Sequence, residues 1–140
     1  SAPCATPPPG WRTCAGCCVE TRDRARLSGG ASGDPIYRAV AHALAGRQPG
    51  GGMLIDVGCG SGRLWDHLAG RFARYVGADA VRYDGFPAAG EFVAADLDAG
   101  PLPLPDDSGD VVAAVEVIEH LENPRALVRE LARVCRPGGW

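Results

Sequence analysis

A glycine-rich stretch with an acidic residue beside it is the feature of this sequence that points most directly to chemistry. Asp56 lies within a short apolar run, and Gly58, Gly60 and Gly62 follow at alternate positions. Glycines in such a loop let the backbone turn sharply and approach a ligand closely, because they have no Cβ to clash. A strand that leads through such a loop into a helix is typical of a ligand-binding loop at the carboxyl end of a sheet. A purely structural tight turn is the alternative.

Three further carboxylates follow later apolar runs at comparable places. Asp79 ends the next run, where a carboxylate can accept hydrogen bonds from both hydroxyls of a ribose. Asp96 follows the third run and could reach the edge of an adenine, and Glu116 lies near the end of the fourth. Four carboxylates at one edge of a sheet favour a cationic ligand with a ribose and disfavour a polyphosphate. A nicotinamide enzyme is disfavoured too, because Arg63 replaces the last glycine of the G-x-G-x-x-G fingerprint.

These residues are embedded in an alternation of apolar runs and helix patterns that predicts an α/β fold. The strand-like runs are 53–57, 75–79, 91–95 and 110–117, and the helix patterns are 34–46, 64–72 and 123–136. Continuous apolar strands separated by helices indicate a parallel sheet covered on both faces. The connection 80–90 contains Gly85 and Pro87 and has room for one or two helical turns at most, which is tight for a parallel crossover.

Composition and charge exclude several other classes of protein. The 140 residues suffice for one modest domain, and the formal net charge of −3 argues against nucleic acid binding through the overall field. No apolar run reaches the roughly 18 residues of a membrane span, and none resembles a secretory signal. Residues 1–33 are rich in glycine and proline and show no sustained apolar period. They predict a flexible leader, followed by one domain over 34–140.

Two groups of residues favour structural over chemical interpretations. Four cysteines crowd into the leader without a second C-x-x-C pair, so a reduced, unstructured segment is favoured over a zinc site: Cys4, Cys14, Cys17 and Cys18. Six arginines are predicted to lie on solvated helix faces: Arg71, Arg74, Arg125, Arg129, Arg133 and Arg136. The last helix is predicted to bury one apolar face: Leu127, Val128, Leu131 and Val134.

Four segments, in order, resemble the motifs of the class I S-adenosylmethionine-dependent methyltransferases. LIDVGCGSG is similar to their first motif, VGAD to the end of their second strand, VAADL to their third, and LPLPDD through CRPGG to their fourth strand and following helix. The resemblance covers residues 34–140. It implies a Rossmann-like, doubly wound parallel sheet, of which this chain would hold the first four of seven strands. Gly109, where the family usually has Phe, and the short connection 80–90 depart from the pattern.

The resemblance also implies which residues bind the cofactor S-adenosylmethionine. They are, in chain order, Asp56, Gly58, Cys59, Gly60, Gly62, Asp79, Ala80, Asp96, Leu97, Glu116 and Val117. The end of the first strand and the glycine loop would hold the methionine end, and Asp79 the ribose. Asp96 and the backbone at Leu97 would contact the adenine, while Glu116 and Val117 would line the pocket near the sulfonium.

The reaction implied by this resemblance is methyl transfer to an acceptor that the sequence does not identify, with a small molecule favoured. The cofactor carries the activation, so a protein base is optional. His120 follows the fourth strand and is the candidate base, since an imidazole titrates near neutrality. A helix-start residue bonded to the backbone is the alternative role for His120.

The spacing Glu116-x-x-Glu119-His120 is similar to the metal cluster of the small-RNA 3′-terminal 2′-O-methyltransferases. That similarity implies a divalent ion and an RNA acceptor. The same pattern occurs in small-molecule methyltransferases without a metal, and we expect neither a metal nor nucleic acid here. A non-catalytic S-adenosylmethionine-binding module is a further alternative.

The motifs also bear on the extent of the domain. We expect the chain to be the N-terminal, cofactor-binding part of a longer cytoplasmic enzyme that does not contact membranes. The run 110–117, patterned for burial on both faces, would then lie at an exposed edge of the sheet. The 140 residues alone are predicted to be marginally stable and inactive.

Overall fold

The computed structural model describes residues 30–45 and 50–140. The elements in chain order are α1 (Asp34–Ala45), β1 (Met53–Val57), α2 (Arg63–Leu68), β2 (Arg74–Asp79), β3 (Glu91–Ala94), β4 (Val111–Ala113), a 3₁₀ helix (Ile118–His120) and α3 (Pro124–Val134). The four leader cysteines and most of the predicted leader lie outside the described residues. Within the described residues, none of the helices has the length and apolar character needed to cross a membrane.

The four strands are parallel and lie in the order β3-β2-β1-β4, which confirms the predicted parallel sheet. Asp56 of β1 pairs with Gly77 of β2 on one side and with Ala113 of β4 on the other. Because the chain moves outward from β1 to β3 and then returns to the far side of β1, the strand order reverses between β1 and β4. Open α/β sheets bind ligands outside the carboxyl ends of the strands at such a point.

The strands are covered on both faces, as the continuous apolar runs predict. Leu54 packs in a cluster with residues of α1 and α2, while Ile55 and Val57 pack in a second cluster with residues of α3. Asp56 faces the same side as Leu54, because side chains alternate along a strand. The acidic residue therefore lies under α1 and α2, at the end of an otherwise apolar strand.

Helix α1 begins at Asp34 and Pro35, as predicted, and turns a slightly different face to the core. Tyr37 is its buried residue, and Val40, Ala41 and Leu44 pack around the same cluster. The spacing of Ile36, Val40 and Leu44, which recur every four residues in the sequence, predicts an apolar stripe that begins one residue earlier. The shift brings the Tyr37 side chain to the cavity described below.

Strand β4 is much shorter than predicted, with three residues in place of the run 110–117. Its partner β1 turns away after Val57, where the Gly58 N–H donates to the Ala78 carbonyl of β2 at 2.7 Å. The β1–β4 ladder therefore ends at Ala113. Glu116 then adopts a φ of 52°, which is incompatible with extended backbone.

The outer side of β4 is not the bare edge that was predicted. The Val112 N–H donates to the Trp140 carbonyl at 2.7 Å, and the Trp140 N–H donates to the Asp110 carbonyl at 3.1 Å. Gly109, at the position of the family's Phe, is buried and bonds to the backbone of Val134 at 2.8 Å. The residues that follow α3 thus satisfy backbone groups along this edge.

Residues 80–90 are all described and contain turns but no helix, so the predicted helical turns between β2 and β3 are absent. The Phe86 N–H donates to the Tyr83 carbonyl at 3.3 Å in one of these turns. The Phe86 ring stacks on Tyr75 and meets Phe92 edge-on, with ring centroids 5.7 Å and 5.4 Å apart. Aromatic packing therefore covers the sheet where a crossover helix was expected.

Helix α3 begins as predicted, with the Asn123 side chain accepting the Ala126 N–H at 3.2 Å. Its buried face is narrower than predicted, since Leu127 and Val134 are buried but Val128 is 52% exposed. At 3.6 residues per turn, Val128 lies about 100° around the helix from Leu127, at the margin of the stripe.

Two of the arginines predicted to lie on solvated helix faces are not on helices. Arg71 follows α2 and donates to the carbonyls of Leu44 and Ala45, both at 3.4 Å. Arg74 is the first residue of β2 and pairs with Glu91 at 3.3 Å.

Two more of these arginines are structural. Arg133 donates to the carbonyls of Leu102 and Leu104, both at 2.9 Å, and Arg136 pairs with Asp110 at 2.6 Å. The segment 101–105 contains three prolines, which cannot donate hydrogen bonds, and it lies outside the sheet. A guanidinium therefore satisfies carbonyls that a strand neighbour would otherwise bond.

Candidate functional site

The glycine loop after β1 lies at the carboxyl ends of the strands and forms part of a cavity. Gly58 has a φ of 72° and Gly60 a φ of 53°, in the left-handed region that favours glycine. A Cβ at Gly60 would overlap the carbonyl of Gly30, and a Cβ at Gly58 would overlap the Val117 side chain. Both glycines are therefore required by conformation and by close approach.

Residues 30–32 form one wall of the cavity. Ser61 donates to the Gly30 carbonyl from its N–H at 2.8 Å and from its Oγ at 3.2 Å. The Ser32 N–H donates to the hydroxyl of Tyr37 at 2.7 Å. These residues, from the end of the predicted leader, therefore connect the glycine loop to α1.

Asp79 is held at the end of β2 by backbone N–H groups. Its Oδ2 accepts the Gly60 N–H at 2.8 Å, and its Oδ1 accepts the Val81 N–H at 3.3 Å. The carboxylate thus joins the glycine loop to the strand that carries it. This fixed carboxylate lines the cavity.

Asp56 is 2% exposed and still contributes to the cavity lining. The Tyr75 hydroxyl donates to its Oδ2 at 2.9 Å. Burial raises the pKa of Asp56 to about 7, with the nearby Asp79 charge acting in the same direction and the Tyr75 hydrogen bond opposing it. Near neutral pH this carboxyl therefore gains or loses a proton easily, and a cation placed beside it would favour the ionised form.

Cys59 lies in the same loop and is 5% exposed. Burial raises the pKa of its thiol far above the usual range, and the charges of Asp56 and Asp79 raise it further. Because the thiolate is the nucleophilic form of cysteine, this thiol is inert at physiological pH.

The cavity has a volume of about 540 Å³, within the range of small-molecule and cofactor sites. The predicted site residues that line it are Asp56, Gly58, Cys59, Gly60, Asp79, Ala80, Leu97, Glu116, Val117 and His120. Lining residues that the sequence did not identify are Gly30, Ala31, Ser32, Tyr37, Tyr83, Asp98, Val115 and Leu121.

Two predicted cofactor residues lie outside this lining. Gly62 precedes α2 as its N-cap residue. Asp96 is exposed, and its Oδ1 accepts the N–H of Asp98 at 3.1 Å, so a turn carries its side chain away from the cavity. Asp98 lines the cavity instead, and its Oδ1 accepts the backbone N–H groups of Glu122 at 2.9 Å and Asn123 at 3.2 Å.

Some of the missed residues had a signal in the sequence. Asp98 is the second acid of the segment DLD. The turn after β3 places Asp98, and not Asp96, in the cavity lining. Tyr37 is an aromatic residue with a polar tip, one place from the predicted apolar stripe. Residues 30–32 had no signal, because they are small and approach the site only through the tertiary fold.

The three candidate metal ligands are not brought together. Glu116 and His120 line the cavity, whereas Glu119 does not. Over residues 30–45 and 50–140, there is no group of three or more His, Cys, Asp or Glu side chains placed to hold a metal ion. The 3₁₀ helix instead brings the His120 side chain to the cavity by a backbone bond from its N–H to the Val117 carbonyl at 3.0 Å.

The family model and the two relatives described below are all methyltransferases. A family model described as a methyltransferase domain matches residues 55–140. A probable S-adenosylmethionine-dependent methyltransferase of Mycolicibacterium smegmatis is 36% identical over 107 residues, which cover 74% of this chain and 40% of the relative. The ubiquinone biosynthesis O-methyltransferase of Chromobacterium violaceum is 31% identical over 101 residues, 64% of this chain and 42% of the relative.

A solved structure agrees at the level of the fold. The methyltransferase in complex with the Haloferax volcanii Trm112 methyltransferase activator superposes with a TM-score of 0.60 and 27% identity, covering 83% of this chain and 53% of that chain. This chain spans about 40% of the length of the curated relatives named above.

Proposed function

The chain belongs to the class I S-adenosylmethionine-dependent methyltransferases, and from that premise we propose that the protein transfers the methyl group of S-adenosylmethionine to a small-molecule acceptor. The observation that carries the proposal is the single cavity that collects Asp56, the glycine loop and Asp79 at the switch point of the sheet.

The residues of the cavity fit this cofactor chemically. A ribose with two free hydroxyls suits the Asp79 carboxylate, which is already fixed by two backbone N–H groups. An ammonium and a sulfonium suit a cavity whose charged lining is mainly acidic, with carboxylates at Asp56, Asp98 and Glu116. On this proposal Asp98, and not the exposed Asp96, is the acidic side chain beside Leu97 at the adenine end.

When bound, the cofactor supplies the electrophilic methyl group. The protein would hold the acceptor atom about 3–3.5 Å from that methyl and exclude water, an arrangement worth roughly 7–11 kcal/mol of the barrier. His120 would accept the proton that a hydroxyl or amine acceptor loses. Glu116 and Val117 would line the cavity near the sulfonium.

The similarity to a named relative supports a small-molecule acceptor. One relative is named for ubiquinone biosynthesis and O-methylation, which is methyl transfer to a small molecule. The described residues do not bring together the metal cluster that would favour an RNA acceptor.

Calorimetric titration of the full-length protein with S-adenosylhomocysteine tests the cofactor site. We expect Asp79→Ala to weaken binding by roughly 10- to 100-fold, because each hydrogen bond to a charged group contributes about 1.5–3 kcal/mol. Asp84→Ala is the matched control, since Asp84 is an exposed aspartate of the β2–β3 connection outside the cavity lining. Its affinity should stay within about twofold of wild type.

Three results would contradict the proposal. Failure of the wild-type protein to bind S-adenosylhomocysteine would remove the cofactor assignment. Equal losses in Asp79→Ala and Asp84→Ala would show that Asp79 makes no contact with the ligand. Binding of the cofactor without transfer to any acceptor would favour a non-catalytic binding module.

A further inference from the structure

Tyr75 of β2 is connected to the cavity by a hydrogen bond to a carboxylate that lines it. It is 2% exposed, and its hydroxyl donates to Oδ2 of Asp56 at 2.9 Å. Tyr75 pairs with Leu54 in the sheet, two residues before Asp56 on β1. The phenol therefore extends along β1 toward the carboxyl end of the strand, where Asp56 meets the cavity.

Two aromatic rings stack against Tyr75. Trp65 of α2 stacks on it with ring centroids 5.0 Å apart and an interplanar angle of 20°, and Phe86 stacks with values of 5.7 Å and 22°. A phenylalanine would serve this aromatic packing equally well. The hydroxyl adds a donor whose direction is fixed by the two neighbouring rings, and a buried phenol needs such a partner.

The groups around Asp56 act on its ionisation in opposite directions. The titratable groups around it are Tyr37 of α1, Cys59 of the glycine loop, and Tyr75 and Asp79 of β2. The other titratable residues that line the same cavity are Tyr83, Asp98, Glu116 and His120. On β4 the residue opposite Asp56 is Ala113, which does not titrate. Burial and the Asp79 charge disfavour the ionised carboxylate, whereas the Tyr75 hydroxyl favours it.

We propose that Tyr75 is a positioning residue of the cofactor site, whose hydroxyl favours the ionised Asp56 carboxylate and orients it to receive the ammonium group at the methionine end of the cofactor. This inference rests on the proposed function, because it needs a cationic ligand in the cavity. It assigns to Tyr75 a role in affinity and its pH dependence that aromatic packing alone would not give.

The consequence is a pH-dependent affinity for a ligand that carries an ammonium group. Because the pKa of Asp56 is about 7 without ligand, the ionised fraction rises roughly tenfold between pH 6 and pH 8. An ionised Asp56 attracts the ammonium group, and a protonated one does not. Removal of the Tyr75 hydroxyl removes an interaction that favours the ionised form, so the midpoint of this rise moves to higher pH.

The test is calorimetric titration of the full-length protein with S-adenosylhomocysteine at several pH values from 6 to 8.5. For the wild type we expect an affinity that rises roughly tenfold between pH 6 and pH 8. For Tyr75→Phe we expect an affinity about three- to tenfold lower at pH 7, with the difference shrinking toward pH 8.5. Tyr37→Phe is the matched control, since Tyr37 lines the cavity and bonds to Ser32, so any loss should be equal at every pH.

A second variant covers the case in which Tyr75→Phe does not fold by circular dichroism. Replacement of Tyr75 by 3-fluorotyrosine keeps the ring and strengthens the hydroxyl as a donor. The midpoint should then move to lower pH. The pH dependence of the free energy of unfolding without ligand is a further measurement, because a carboxyl whose pKa rises from 3.8 to about 7 on folding loses its stabilising contribution as pH rises between these two values. Asp56→Asn should remove that decline in stability.

The failures of the two proposals are distinguishable. Absence of wild-type binding at every pH overturns the proposed function, and the inference with it. Wild-type binding with no pH dependence, an equal loss in Tyr75→Phe at every pH, or no shift with 3-fluorotyrosine overturns the role of Tyr75 and leaves the cofactor assignment standing.

Discussion

The position of the His120 side chain depends on an irregularity in the backbone just before it. Glu116 leaves the extended conformation with a φ of 52°, and the 3₁₀ helix Ile118–His120 follows directly. This short helix turns the imidazole into the cavity lining. The apolar run predicts a strand that continues to Val117. Such a strand would lack the turn that brings His120 to the cavity.

If His120 is the general base, His120→Ala should lower kcat by roughly 10²- to 10⁴-fold, because proton transfer by a positioned base contributes about that much. The affinity for S-adenosylhomocysteine should change little, since the base acts on the acceptor. Steady-state kinetics at saturating S-adenosylmethionine, together with calorimetry, separates the two effects.

Glu119→Ala is the comparison variant for this experiment, because Glu119 is adjacent in sequence and does not line the cavity. Its kcat should stay within about twofold of wild type. An unchanged kcat in His120→Ala would remove the base assignment. Equal large losses in both variants would favour the metal-ligand interpretation of Glu116, Glu119 and His120.

At the scale of elements, α3 holds the proline-containing segment before β4. The Arg133 side chain donates to two carbonyls of this segment and pairs with Asp106 at 2.6 Å. Glu130 accepts the Leu102 N–H at 2.8 Å, and the Arg133 guanidinium bonds the same carboxylate. These bonds connect α3 to the loop between β3 and β4, whose earlier part supplies Asp98 to the cavity.

Arg133→Met should lower the free energy of unfolding by about 2 kcal/mol, because it leaves partly buried carbonyls and the Glu130 carboxylate without this donor. Arg129→Met is the matched control, since Arg129 is an exposed arginine of the same helix. It should change stability by less than about 0.5 kcal/mol. Urea denaturation of the full-length protein measures both values, and equal effects of the two substitutions would refute the structural role of Arg133.

The elements that sequence patterns predicted well are those with local start signals. Asp34 with Pro35 and Asn123 with Pro124 mark helix starts that the structure confirms. The length of β4 and the turns of 80–90 depend on non-local partners, namely where β1 turns away and how aromatic rings fill the sheet face. Apolar composition alone does not contain that information, because a buried turn and a buried strand can have the same residues.

At the scale of the whole molecule, the parallel sheet assembles the site. Because β1, β2 and β4 point the same way, residues far apart in the sequence meet at their carboxyl ends, as Asp56, Asp79 and Glu116 do in the cavity. This part of the site was predictable from strand ends alone. That Asp98 and not Asp96 lines the cavity was not predictable, because a turn decides which side chain faces it. The wall formed by residues 30–32 was not predictable either, because only tertiary contacts bring these residues to the cavity.

The proposed function is methyl transfer from S-adenosylmethionine, bound in this cavity, to a small molecule. The most direct measurement incubates the full-length protein with methyl-labelled S-adenosylmethionine and a panel of small hydroxyl, amine and thiol acceptors, and counts labelled product against S-adenosylhomocysteine formed. We predict equal amounts of both for at least one acceptor, with transfer reduced at least about tenfold by Asp79→Ala and retained by Asp84→Ala. Cofactor binding without transfer to any acceptor, or transfer that Asp79→Ala leaves unchanged, would contradict the claim.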